Sequence, residues 1–177
     1  MSVNRRVVFV SGAPGAGKTT LGRPLAEGLG FAFLSKDQIK ETLHDSFQPP
    51  DGDLDWSRRL GRAAMDLLFT LAGECPAVVL ESNFVPGDES VRARLAELAK
   101  NPIELYCDCP PEEAARRFAE RAPMAHPTHV WRELPPDVLA RYDRPVGIGP
   151  VLTVDTTRPV DIPQLVTDTR ALLDPVA

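Results

Sequence analysis

A chain of 177 residues has room for one α/β core of ordinary size, and two independent cores would each be short of apolar surface to bury. Hydrophobic residues at 43% and charged residues at 25% exclude a disordered or fibrous chain, and a net charge of -5 argues against a general binder of nucleic acid or anionic membrane, because such proteins gather positive charge to replace counterions. No apolar run reaches the roughly 20 residues of a membrane helix, and Met1 leads into VVFV without a signal-peptide pattern, so a cytoplasmic protein without nucleic-acid or membrane partners is expected, its oligomeric state left open.

Short runs rich in β-branched residues predict buried strands at 7–10, 78–80, 103–106 and 151–154, with a weaker one at 31–34. Helical patterns lie between them at 18–29, 37–44, 54–72, 88–100, 111–122, 137–143 and 161–173. Strand and helix alternate, which predicts right-handed crossovers and a parallel sheet covered by helices on both faces, within a single domain over 1–177. Pro110 and Pro111, followed by Glu112 and Glu113, put proline and negative charge in a first helical turn, where both suit the helix. Pro24 conflicts with its own pattern, since a proline inside a helix removes a hydrogen bond. Cys75, Cys107 and Cys109 form no CxxC pair and predict reduced thiols rather than a disulfide framework or a zinc site.

Gly12-Ala13-Pro14-Gly15-Ala16-Gly17-Lys18-Thr19 is a full GxxxxGK[ST], set directly after the first strand and directly before the first helix. The glycines let the backbone wrap an oxygen-rich ligand, so that successive N–H groups and the helix N-terminus point at phosphates. In this reading Gly12, Ala13, Gly15, Ala16, Gly17, Lys18, Thr19 and Thr20 hold ATP, Lys18 meets the β- and γ-phosphates, and the Thr19 hydroxyl ligates Mg2+. A glycine-rich turn with an exposed lysine is the plainer alternative. No guanine-reading NKxD segment follows the fourth strand, which argues against a regulatory GTPase, and the length leaves no room for the extra elements of large mechanochemical ATPases.

From this loop onward the chain resembles the P-loop small-molecule kinases, the group that holds nucleoside monophosphate kinases, gluconate and shikimate kinases, zeta toxins and chloramphenicol phosphotransferase. GAPGAGKTTLGRPLAEGLGFAFLSKDQIK is most similar to the zeta-toxin and chloramphenicol-phosphotransferase branch, where a short second strand leads to an aspartate and a helix. The resemblance implies a three-layer α/β fold with a five-stranded parallel sheet of order 2-3-1-4-5 and a short lid. It also implies transfer of the γ-phosphate of Mg-ATP to a hydroxyl of a small molecule. Nucleotide or nucleotide-sugar kinases, and a nucleotide-binding regulatory protein without transfer, stand as alternatives.

Asp37 opens the second helix at the carboxyl edge of the sheet, where open α/β folds bind ligands. It is the candidate for orienting and deprotonating the acceptor hydroxyl, with a helix N-cap as the ordinary reading. Glu81 ends the third strand, where the family's usual residue is aspartate; it could hold a Mg2+-bound water or contact the acceptor with Ser82 and Asn83, or simply cap. Arg117 and Arg121 are four apart on a helix and should point the same way. By resemblance the first stacks on adenine and the second contacts the transferring phosphate, whereas a solvated face paired with Glu113 or Glu120 is the alternative.

Segment 122–135 reads as a proline-bearing lid. His126 and His129 within it lack a third neighbouring ligand and read as lid packing or acceptor contacts rather than metal ligands. Arg141 resembles a lid-closing arginine, or an ordinary helix-end one. The acceptor-side insertion at 44–57, with the acidic run Glu41, Asp45, Asp51, Asp53 and Asp55 beside Phe47 and Trp56, favours a cationic or neutral polar acceptor if it lines the pocket, and is otherwise a solvated loop. Beyond the fifth strand, Thr157 and Arg158 are expected near the adenine by resemblance.

Overall fold

The computed structural model describes residues 5–174; the N-terminal Met1 reading and both ends of the 1–177 domain expectation lie partly outside them. Five parallel strands, β1 (Arg6–Ser11), β2 (Ala32–Ser35), β3 (Ala77–Glu81), β4 (Ile103–Asp108) and β5 (Val151–Asp155), form one sheet in the order β2-β3-β1-β4-β5. The fold is therefore the three-layer arrangement that the alternation and the resemblance imply. Because β1 is central, it is buried on both faces, and so its sequence is an unbroken apolar run rather than an alternation.

Side chains still alternate along it. Val8 and Val10 join a core with Leu21, Leu25 and Leu29 of α1 (Lys18–Leu29) and Leu165 and Val166 of α7 (Ile162–Leu173). Val7 and Phe9 face the other layer, packing with Leu68 and Phe69 of α3 (Leu54–Glu74) and Val91 and Leu95 of α4 (Glu89–Leu98). The remaining helices, α2 (Lys36–Phe47), α5 (Pro111–Arg121) and the short α6 (Pro136–Leu139), surround the C-terminal edge of the sheet. Among the described residues no helix is long and apolar enough to cross a membrane.

The departures from the sequence reading have local causes. Strands run one or two residues beyond their apolar centres, because Ser11, Glu81 and Asp155 continue the backbone ladder with polar side chains that hydrophobicity does not register. Helix α2 begins at Lys36, since Ser35 and not Asp37 is its N-cap. The 137–143 helix splits into α6 and a 3-10 turn, Ala140–Tyr142. Pro24 sits inside an uninterrupted α1, half-buried, one turn after the exposed Thr20 whose carbonyl it leaves without a helical donor.

One buried carboxylate braces this frame. Glu104 on β4, with no exposure, accepts from Ser11 Oγ at 2.5 Å and from the backbone N–H groups of Val146 and Gly147, both at 2.8 Å. It fixes the residue that leads into the glycine-rich loop and ties segment 146–147 beneath it.

Candidate active site

The loop after β1 has a backbone that few side chains would permit. Gly15 has φ +87°, and a Cβ there would run into the Ala114 carbonyl oxygen of α5. Gly17 precedes α1 in the left-handed region and offers no side-chain cap, so the first N–H groups of α1 are left to whatever anion approaches. Lys18 is buried and donates to the carbonyls of Gly12 at 3.0 Å and Ala13 at 2.8 Å. An ammonium has three donors, so one stays unspent. Burial lowers the Lys18 pKa, and the charges of Glu81 and Asp37 act against that.

Above this loop lies a cleft of about 850 Å³, within the range of small-ligand sites. Gly15, Gly17, Lys18, Thr19 and Thr20 line it, together with Lys36, Asp37, Lys40 and Glu41 of α2 and with Glu81 and Asn83. Arg121, Met124, His126, His129 and Trp131 close it from the lid side.

The structure puts Asp37 in the first turn of α2, half-buried and facing the cleft, while the capping duty falls to Ser35, whose Oγ accepts from Gln38 N–H at 3.5 Å. The N-cap reading of Asp37 is thereby corrected. Burial acts to raise the Asp37 carboxyl, but Lys36, whose Nζ donates to Oδ1 at 3.1 Å, together with His129 and Lys18, holds it below its ordinary range. Glu81 is buried at the end of β3 and accepts on Oε2 from Ser35 Oγ at 2.7 Å. Its Oε1 has no protein donor among the described residues.

The arginine pair parts company. Arg117 donates to Glu113 Oε1 at 2.6 Å and to the Thr156 carbonyl at 3.0 Å, whereas Arg121 stands on the cleft above the Phe118 ring. The expectation that both point the same way fails because Glu113 and Thr156 capture one of them. The solvated face is instead Arg116, clamped by Glu113 and Glu120. Arg141 lies on the Ala140–Tyr142 turn, outside the cleft lining.

Thr157 and Arg158 fold back on Asp155: Thr157 N–H and Oγ1 donate to Oδ1, and Arg158 donates twice to Oδ2. Thr156, which sequence reading passed over, is the buried member of that loop and the one nearest Gly17. The acidic insertion does not line the cleft apart from Glu41 and Ser57. Asp53 caps α3, Asp51 and Asp55 face solvent, Phe47 is exposed, and Trp56 carries Arg59 on its ring. Those charges therefore say little about the acceptor.

Sequence reading also missed what holds the lid. Lys40 donates to Ser57 Oγ at 2.8 Å and to the Thr128 carbonyl at 3.1 Å, and Ser57 Oγ donates to the same carbonyl at 2.8 Å. Burial, with Lys36 nearby, takes the Lys40 ammonium down to about 8. On either side, His126 meets Asp45 at 2.9 Å and His129 meets Glu41 at 2.8 Å. The sequence offers no signal for these contacts, since the burial of Lys40 is visible only in the fold. Cys107, pushed up to about 12 by burial, stays a thiol.

The loop, cleft and sheet order define a P-loop protein, and the chain belongs to the AAA_33 family, described as an AAA domain, whose pattern it matches over residues 7–145. Its fold overlays a candidate kinase from Chloroflexus aurantiacus with a TM-score of 0.78 and 29% identity, over 96% of this chain and 98% of that one. A shikimate kinase from Acinetobacter baumannii shares the fold at a TM-score of 0.61 and 22% identity, over 96% and 93% of the two chains. A cytidylate kinase of Nitratidesulfovibrio vulgaris is 37% identical over 110 residues, 58% of this chain; the match spans 46% of that relative's length.

Proposed function

We propose that the protein is an ATP-dependent phosphotransferase that moves the γ-phosphate to a hydroxyl of a small molecule. The observation that carries the reading is that one cleft is lined both by Lys18, at the uncapped start of α1, and by Asp37, whose carboxyl Lys36 and Lys18 help to hold below its ordinary range. The kinase relatives agree with it.

In this reading the N–H groups from Gly15 to Thr20 and the third proton of Lys18 bind the phosphates. Thr19, whose hydroxyl has no protein partner among the described residues, and Glu81 through Oε1 would hold Mg2+. That ion, when bound, neutralises charge on the phosphates. Arg117 and the 156–158 loop border the base, and Arg121 faces the transferring group.

Asp37 keeps Oδ1 on Lys36 and offers Oδ2 to the acceptor. The acceptor oxygen forms the new bond to phosphorus as the bond to the ADP oxygen breaks, and Asp37 takes the hydroxyl proton. A carboxylate held below its usual range is a weak base, so its main contribution is to orient the hydroxyl.

The test is to screen sugars, nucleosides, nucleotide-sugars and hydroxylated antibiotics for a phosphoryl mass gain, then compare wild type with Asp37→Asn. ATP affinity and melting temperature should survive in Asp37→Asn while transfer falls by about 10² to 10⁴. Normal turnover in the variant removes Asp37 from the chemistry, and a wild type with neither ATP-dependent stabilisation nor product overturns the reading.

A further inference from the structure

A second group of ligating side chains meets where α2 touches the lid, outside the phosphate-binding loop. His44 and Asp45 lie in the last turns of α2, and the lid carries His126 over them although 81 residues separate it from Asp45. His126 Nε2 is 2.9 Å from Asp45 Oδ1, and His44 Nδ1 is 3.8 Å from the same oxygen. The two imidazoles stand edge to face with centroids 5.0 Å apart. One ligand atom from each of the three residues falls within 4.8 Å of the others.

His44 is 8% exposed, and its Nδ1 is buried without a hydrogen-bond partner. Such atoms are rare, because an unmatched buried nitrogen keeps its full desolvation cost. Here it is aimed at a carboxylate that a second imidazole already approaches, and a cation among the three would satisfy it. His129, the partner that spacing suggests for His126, is instead committed to Glu41.

We propose that His44 Nδ1, Asp45 Oδ1 and His126 Nε2 bind a divalent transition-metal cation of the zinc kind, with water at the fourth position. Two imidazole nitrogens and one carboxylate oxygen suit Zn2+ and disfavour Mg2+, which prefers oxygen throughout. Ligand atoms about 2.0–2.1 Å from Zn2+ sit roughly 3.3 Å apart in a tetrahedron, so the 2.9 Å pair must open, the 3.8 Å pair must close, and the two imidazoles, no more than 4.8 Å apart at their ligand atoms, must draw together by side-chain rotation. The Asp45 side chain is 70% exposed, which gives the ion its entry and the water its place.

Without the ion, Thr128 N–H donates to His126 Nδ1 at 3.2 Å, so the ring carries its proton on Nε2. Binding moves that proton to Nδ1 and releases this long bond, while Lys40 and Ser57 keep hold of the Thr128 carbonyl. The ion would join α2 to the lid and hold the lid down over the cleft. The site is independent of the phosphotransferase reading.

The test is a titration of the tag-free full chain with Co2+ and then Zn2+, without nucleotide. One equivalent of Co2+ should give the intense visible bands of a low-coordinate ion, Zn2+ should displace it, and Mg2+ should not. Asp45→Ala, at an exposed position, and His126→Asn, at a partly buried one, should keep the circular dichroism of the wild type and weaken Zn2+ binding by more than about a hundredfold, beyond the loss typical of an outer-shell partner. His129→Asn should bind normally. Absent Co2+ bands in the wild type, unchanged affinity in both ligand variants, or loss in His129→Asn with Asp45→Ala unaffected would each overturn the proposal.

Discussion

At the P-loop end of the cleft, Lys18 bonds to carbonyls five and six residues back, and the whole cradle is made by eight consecutive residues. At the lid end, Ser57 and Thr128 are 71 residues apart, and Lys40 and Thr128, like Glu41 and His129, are 88 apart. The first end is specified by spacing along the chain and by backbone conformations open to glycine. The second is assembled from single side chains on separate elements, any of which can change without disturbing the cradle. A fold made this way can keep its glycine-rich cradle while the wall on the lid side varies.

If the P-loop end depends on a rigid frame, the largest effect should come from beneath it. Glu104→Ala leaves the buried Ser11 Oγ and Val146 N–H, and the more exposed Gly147 N–H, without their acceptor, and at about 1–3 kcal/mol for each of the two buried groups the loss should be at least about 2 kcal/mol. Urea unfolding measures it; a loss below about 1 kcal/mol would mean that Glu104 is not the brace. Next, Gly15→Ala should cost about 1–3 kcal/mol of strain and abolish stabilisation by Mg-ATP, because both φ and the Ala114 carbonyl oppose the new Cβ. A melting scan with retained ATP response would show that the loop tolerates another path.

The smallest effect belongs to the lid end. Lys40 has a folded pKa of about 8, below its ordinary 10.5, so keeping it charged costs stability below pH 8, and that cost fades as pH rises from 8 towards 10.5. Wild type should therefore gain on Lys40→Met by an amount on the order of 1 kcal/mol between pH 7 and pH 10. Denaturation curves that run parallel across that range would place the Lys40 ammonium in water rather than under the lid.

The sequence was informative where chemistry is local. The β1 run, the glycine spacing and the start of α1 all stand where the apolar pattern and the motif put them. Asp37 was legible as a carboxylate at a helix start, but not that Ser35 would cap in its place, since two candidates two residues apart compete and only the backbone decides. The divided arginines were hidden for a different reason: helical spacing sets where side chains begin, while Glu113 and Thr156 set where they end. The lid contacts could not be read at all, because nothing in the order of residues brings Thr128 to Ser57. For the acidic insertion the solvated-loop alternative describes Asp51 and Asp55, while Asp53 caps α3 and Glu41 and Asp45 meet the lid histidines, partners that composition does not reveal.

Ser35 works as a caliper. Its oxygen receives the Gln38 N–H, and its proton is directed to Glu81 Oε2, so one hydroxyl spans the end of β3 and the start of α2. The gap between the Glu81 and Asp37 carboxylates is thus gauged by a single atom, on an edge strand only four residues long. Threonine at this position would preserve the gauge and alanine would remove it, leaving two acids with nothing rigid to measure one against the other.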